Sequence, residues 1–281
     1  NPGTMILTGT DIKTGDYFAA SFRPAIPSAP SSKISDTAVF LIDISLSSNP
    51  DQFNIYLKLL EPILRNNRDS IQKFAVLFFN IETFWWQEAL TINSAANVSE
   101  LIRFANQLSL EGATDIGAAL KKATNPDWSG DDIGIMHRDL FLLSDGAVTW
   151  GQRDLFALSQ TLKAAKSNAL YAFRTGFSGS NITTLNHLAR ESGGAVFSVV
   201  GESEIENASR AYRSQPWHVE GIELKGCNDL LLAGRPRTIY AGQVLNLAGR
   251  GRPGPEAHII LSLRQGDISK TVPVPISYML T

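Results

Sequence analysis

The chain has 281 residues, 43% of them hydrophobic and 19% charged, with a formal net charge of −2. That is ample material for a core, about two domains of ordinary size, and it lacks the basic footprint that nucleic acid or an anionic membrane would demand. A single cysteine, Cys227, excludes an internal disulfide, and no apolar run approaches the roughly 20 residues of a membrane helix.

In chain order, the first stretch, NPGTMILTGTDIKTG, has neither a basic region nor a long apolar one. No signal peptide is read there, and without an initiator methionine the chain is expected to be a piece of a longer protein. Residues 1–35 form a short polar flank. Within it DYFAASF alternates like one β-strand, and RPAIPSAPSSK reads as a linker.

Residues 36–213 alternate apolar strands with helical patterns. The strands are TAVFLID (37–43), KFAVLFFN (73–80), RDLFLLSD (138–145), ALYAFRTG (169–176) and AVFSVV (195–200). Several are apolar on both sides of the alternation, as parallel strands covered on both faces require. Between them, NPDQFNIYLKLLEPIL offers Asn49 as a cap and Pro50 in the first turn. VSELIRFANQLSL, DIGAALKKAT, QRDLFALSQTLKAAKS and NITTLNHLARESGG follow, the last stopped by Gly193. This alternation predicts an α/β fold with a doubly wound, mostly parallel sheet. The polar GESEIENASRAY (201–212) is expected to be a loosely packed last helix.

Residues 214–281 lose the helical period. VEGIEL, DLLLAG, TIYAG, QVLNLAG, AHIILSLRQ and KTVPVPISY are short strand-like runs cut by Gly and Pro. They predict a small antiparallel β module, marginal alone and expected to pack with the N-terminal flank. GRGRPG (249–254) matches a nucleotide-binding glycine pattern by letter only, because a strand-like run follows it instead of a helix. A β-turn is the preferred reading. Trp85 and Trp86 are read as packing at a sheet edge or as an exposed patch.

The chemistry gathers where strands end. TAVFLI runs into Asp43, Ser45 and Ser47 at alternate positions, just before a helix start. The carboxyl edge of an open α/β sheet is where ligands bind. A second oxygen cluster, EGATD, carries Thr114 and Asp115, and a third, SDG, carries Asp145. All are hard donors suited to Mg²⁺ or Mn²⁺ rather than zinc. Each cluster alone reads as helix capping or an Asp-Gly turn. Three in order, on the right elements, point to a metal site.

The order D-x-S-x-S (43–47), G-A-T-D (112–115), S-D-G (144–146) resembles the von Willebrand factor type A domain over about residues 36–213. That family carries a metal-ion-dependent adhesion site on a doubly wound sheet. The resemblance implies that Ser45 and Ser47 bind the ion through their hydroxyls, joined by Thr114 in the ligand-competent state. Asp43 and Asp145 would act directly or through water, and Asp115 would support the ligands from behind or cap a helix. It implies a protein or other partner offering an acidic group to the ion, and favours an extracytoplasmic or cell-surface location. GDYFAASFRPAIP and DLLLAGRPRTIYAGQVLNLAGR are similar to segments flanking this domain in inter-alpha-trypsin inhibitor heavy chains and their bacterial relatives.

Two other classes stand beside this one. The first is a structural or assembly subunit with a stabilising or vestigial metal site. The second is a Mg²⁺-dependent hydrolase. An aspartyl phosphatase wants a second Asp two positions after the first, where this chain has Ser45, and no G-x-S-x-G elbow surrounds a serine. His137, His187, His218 and His258 stand in unremarkable contexts. The chain is therefore read as a binding protein and not an enzyme.

Overall fold

The computed structural model describes residues 4–28, 35–128, 138–164, 169–175, 180–199 and 202–278. His137 and the end of the Pro/Ser-rich stretch lie outside them. The chain divides into two units, residues 32–212 and residues 1–31 with 213–281.

The smaller unit opens with a hairpin, β1 (Met5–Asp11) and β2 (Gly15–Phe22). The rest of its strands come from the far part of the chain: β10 (Trp217–Leu224), β11 (Cys227–Leu232), β12 (Thr238–Ile239), β13 (Leu245–Gly251), β14 (His258–Gln265), β15 (Ile268–Pro275) and β16 (Ser277–Tyr278). They form a five-stranded sheet, β11-β13-β2-β1-β16, and a four-stranded one, β12-β10-β14-β15. Phe18, Phe22, Leu245 and Leu247 of the first sheet share one core with Trp217, Ile259, Leu261, Leu263, Val272 and Val274 of the second. The result is a β-sandwich in which every second side chain points inward. All its pairings are antiparallel except β1 with β16. GRGRPG is not the turn it was expected to be. Gly249 to Gly251 finish β13, and a Cβ on Gly249 would come within 2.7 Å of Phe18 and Leu230.

The larger unit is the expected doubly wound sheet. Its strands are β3 (Thr37–Asp43), β4 (Lys73–Phe79), β5 (Thr83–Trp85), β6 (Thr91–Ile92), β7 (Asp139–Leu143), β8 (Leu170–Thr175) and β9 (Ala195–Val199). The order is β5-β4-β3-β7-β8-β9, with β6 also on β4. β4, β3, β7, β8 and β9 run parallel, while β5 and β6 return antiparallel on the β4 edge. Every residue of β3 is buried, because helices cover both faces. The helices are α1 (Pro50–Asn66), α2 (Ala95–Ala105), α3 (Ile116–Thr124), α4 (Leu155–Ala164), α5 (Ile182–Ser192) and α6 (Glu202–Ala211).

Alternate strand residues serve the two faces. Val39, Leu41, Leu77, Leu140 and Leu142 pack on Ile116 and Leu120 of α3, Leu158 and Leu162 of α4, and Leu185 and Leu188 of α5. Phe40, Phe74, Phe78, Phe141 and Phe173, out of phase with them, are fully buried as well. Phe40 stacks on Phe141 at 4.8 Å, and Tyr212, just after α6, meets Phe141 edge-on at 5.0 Å. Trp85 is buried against Trp128, and Trp86 stacks on Phe74. The tryptophans therefore pack at the sheet edge rather than forming an exposed patch.

The last helix corrects the expectation of loose packing. Ile205, Ala208, Ser209 and Ala211 are buried. Asn67 Nδ2, at the end of α1, donates to the Ser209 carbonyl at 2.7 Å. Small residues close this interface, and a reading based on polarity does not detect them.

Candidate metal centre

The parallel strands reverse their winding at β3. From β3 the chain moves to β4 on one side, then crosses to β7 on the other. The carboxyl ends of β3 and β7 therefore flank the switch point of the sheet, the usual crevice of such folds. Asp43 is the last residue of β3, and Asp145 lies two residues beyond β7.

Backbone hydrogen bonds tie the loops together there. The Ile44 N–H donates to the Phe79 carbonyl at 2.9 Å, Glu111 N–H to Ile44 O at 3.0 Å, and Leu46 N–H to Gly112 O at 3.1 Å. Asn80, just past β4, donates from Nδ2 to Glu111 O at 3.0 Å, and its own carbonyl accepts from Asp115 N–H at 2.9 Å. Gly112 holds φ at +75° to make the turn. Residues 46–48 form one 3₁₀ turn, and Asn49 then caps α1 by accepting from the N–H groups of Asp51 and Gln52.

This scaffold brings three hydroxyls to one point. Ser45 Oγ lies 2.7 Å from Thr114 Oγ1 and 3.0 Å from Ser47 Oγ, and Ser47 Oγ lies 3.1 Å from Thr114 Oγ1. Ser45 and Thr114 are fully buried, whereas Ser47 is on the exposed side. Behind them, Asp43 Oδ1 accepts from Ser45 N–H at 3.0 Å, and Asp43 Oδ2 accepts from Ser144 Oγ at 2.6 Å. Asp145 Oδ1 accepts from Ala147 N–H at 2.8 Å. Thr114 is itself held from both sides. Its N–H donates to Thr149 Oγ1 at 2.8 Å, and its carbonyl accepts from Thr149 and Trp150 N–H groups.

Asp115 does not join the cluster. Its Oδ1 accepts from Ala118 N–H at 2.9 Å as the cap of α3. Ser144 was not singled out by the sequence reading, although the S-D-G motif contains it. Its role depends on Asp43, 101 positions away, so the letters alone do not reveal it.

The electrostatics favour a cation. Asp43 is fully buried, and desolvation pushes its carboxyl up to about 6 against the opposing pull of the Ser144 and Ser45 hydrogen bonds. Burial raises Asp145 as well, and Ala147 N–H and the Ser47 hydroxyl hold it back. Below them the Tyr56 phenol is raised far above its usual range, first by burial and then by these two carboxylates. No lysine or arginine among the described residues offsets either charge.

The donor set also fits a hard divalent ion in size and kind. Ligands at about 2.1 Å in an octahedron around Mg²⁺ stand about 3 Å apart along each edge, and the three hydroxyl oxygens are spaced 2.7–3.1 Å. Among the described residues no three His, Cys, Asp or Glu side chains gather at a point. The site is made of neutral hydroxyls with two carboxylates behind, which suits Mg²⁺ or Mn²⁺ better than a softer metal.

Comparison with known proteins agrees with this architecture. The family model of the von Willebrand factor type A domain matches residues 38–211. Inter-alpha-trypsin inhibitor heavy chain H1 of Bos taurus is 23% identical over 246 residues, covering 84% of this chain and 26% of that protein. Heavy chain H2 of Mus musculus is 22% identical over 182 residues, covering 63% of this chain and 19% of its own length. The chain thus spans about a quarter or less of these curated relatives. Among solved structures, a von Willebrand factor type A protein from Catenulispora acidiphila superposes with a TM-score of 0.50 at 11% identity, over 94% of this chain and 70% of that one.

Proposed function

Because this chain belongs to the von Willebrand factor type A domain family, we propose that it is a binding module that captures an acidic group of a protein partner through Mg²⁺ or Mn²⁺. Ser45, Ser47 and Thr114 would hold the ion by their hydroxyls, and Asp43 and Asp145 directly or through water. The observation that carries the reading is the hydroxyl triad at 2.7–3.1 Å, open to solvent at Ser47 and set beside two buried carboxylates that no cation among the described residues offsets. When bound, the ion supplies a Lewis-acidic position whose charge the neutral hydroxyls leave largely uncompensated.

The chain's own residues supply orientation and charge. Ser144 and the Ser45 N–H fix the Asp43 carboxylate and favour its ionised form. Thr149 anchors the loop that carries Thr114. Ser47 stands on the open side, where a partner's carboxylate can approach. Among the described residues no histidine hydrogen-bonds to this cluster, and those nearest to polar partners face elsewhere: His187 Nδ1 meets Arg190 and His258 Nδ1 meets the Glu256 carbonyl. Binding is the activity this arrangement supports.

A structural reading has one observation in its favour. Ser45 and Thr114 are fully buried and satisfy each other, so the ion could serve only to stiffen the loops. Calorimetric titration with Mg²⁺ and Mn²⁺ after chelator treatment tests the shared premise, with Asp43→Ala as the control. Saturable binding abolished in the variant supports the metal site, and heat that persists in the variant removes it. A partner interaction that survives chelation selects the structural reading.

A further inference from the structure

The rim of this site is apolar and acidic, not basic. Leu46 stands between the two ligand serines and is 67% exposed. Ile81 follows the clamping Asn80 and is 42% exposed, with its Cδ1 3.6 Å from where a Gly112 Cβ would sit. Trp150, 57% exposed, donates its N–H to the Thr114 carbonyl at 3.1 Å. Three large apolar side chains thus stand in the open on three separate loops: one carries Ser45 and Ser47, and the other two hydrogen-bond to the loop that carries Thr114. Exposed apolar side chains gathered in this way mark an interaction surface, and Trp is among the residues that dominate interface centres.

The charges of the same loops narrow the partner. Glu82 and Glu111 are exposed there. In segments 44–49, 80–82, 111–115 and 145–154 the only basic residue is Arg153, whose Nη2 donates to the Thr149 carbonyl at 2.7 Å. A sulfated polysaccharide or other polyanion would meet acids around the cation and no cationic track for its remaining charges. A ligand with one carboxylate set among apolar side chains meets complementary surface throughout.

Resting on the metal reading above, we propose that the partner is a protein segment presenting a single Asp or Glu flanked by apolar residues, with Leu46, Ile81 and Trp150 as its apolar contacts. The acid would reach the ion. Its neighbours would cover the rim and exclude water from the contact, which strengthens the electrostatic anchor.

The test uses the full chain and a displayed peptide library with a fixed central glutamate and randomised flanks, selected in Mg²⁺ and eluted with chelator. Immobilised heparin serves as the polyanion probe. The expected result is enrichment of Leu, Ile, Phe or Trp beside the glutamate. Leu46→Ser, Ile81→Ser and Trp150→Ser should each weaken the selected peptide by about tenfold or more while still binding Mg²⁺ in calorimetry. Polar or basic flanks, flanks without preference, chelator-sensitive heparin binding, or peptides that bind the serine variants as tightly as the parent would overturn the proposal and leave the metal site standing. A parent chain that takes up no ion would instead remove the metal reading, and this one with it.

Discussion

Ser144→Ala removes one buried oxygen beside Asp43 and separates orientation of the ligands from their mere presence. The Ser144 hydroxyl is fully buried. It donates to Asp43 Oδ2 at 2.6 Å and accepts from Gly146 N–H at 3.0 Å. Alanine leaves the Asp43 carboxylate with hydrogen bonds from Ser45 alone, in a place where burial already raises its pKa to about 6. A hydrogen bond to a charged group contributes about 1.5–3 kcal/mol, and losing it from the ionised form favours the proton over the cation. At about 1.4 kcal/mol per factor of ten, Mg²⁺ affinity should fall roughly ten- to a hundredfold. That is also the range seen when partners behind metal ligands are removed. Calorimetric titration at pH 7.5 measures it, with circular dichroism to check the fold. An affinity within twofold of the parent, in a folded variant, would refute the claim that Ser144 positions Asp43.

Three further outcomes are expected. Gly146→Ala should destabilise the chain by more than about 2 kcal/mol in urea unfolding, since Gly146 has φ +76° and a Cβ there would lie 2.7 Å from the Asn181 carbonyl oxygen; a loss under 0.5 kcal/mol would show that this loop yields easily. Asp139, buried at the start of β7 with its carboxyl raised by desolvation to about 7 from an ordinary 3.8, is protonated in the folded state over a pH range in which the unfolded chain has already lost that proton. Stability from this group is therefore complete below pH 4 and lost as pH rises towards 7, by at most about 4 kcal/mol. Asp139→Asn should flatten that decline, and parallel stability curves for parent and variant would contradict it. Mg²⁺ at a hundred times its dissociation constant should stabilise the folded chain by about 2.7 kcal/mol, roughly 5–10 °C in Tm for a unit of this size. Scanning calorimetry with and without chelator would show it, and an equal rise in Asp43→Ala would mean the ion acts elsewhere.

What could be read from the letters follows from how far each signal extends along the chain. The inner stretches of β3, β4 and β7, residues 38–42, 74–79 and 140–143, are apolar at every position because both of their faces are covered, and such runs stand out. Asn49 before Pro50, and Gly193 after α5, mark helix ends by local chemistry. β5 and β6 are only three and two residues long, too short for any period. β1 was missed for another reason. Its inward side chain is Ile6, while Met5 and Leu7 are exposed, so the apolar residues do not sort by face. At the candidate metal centre the hydroxyls and carboxylates were named from their motifs and from their place at strand ends and helix starts. Distance and partner were not legible, because Ser45 meets Thr114 across 69 positions and Asp43 meets Ser144 across 101. The buried Asp139 left no trace at all, since a lone Asp at a strand start looks like a solvated one.

The sandwich has a consequence for how the chain is made. β2 ends at Phe22, and its neighbour β13 begins at Leu245, so the N-terminal hairpin waits for a partner encoded more than two hundred residues later. At 5–20 residues per second, a ribosome needs roughly 10–45 s to cover that interval. Throughout it β2 exposes an unpaired edge, with Phe18, Ala20 and Phe22 uncovered on the face later sealed by β14 and β15. The intervening α/β unit needs no such wait, because its strands pair only with one another. During synthesis the α/β unit can mature while the sandwich is still open, and the hairpin is the segment that a nascent-chain chaperone would have to shield.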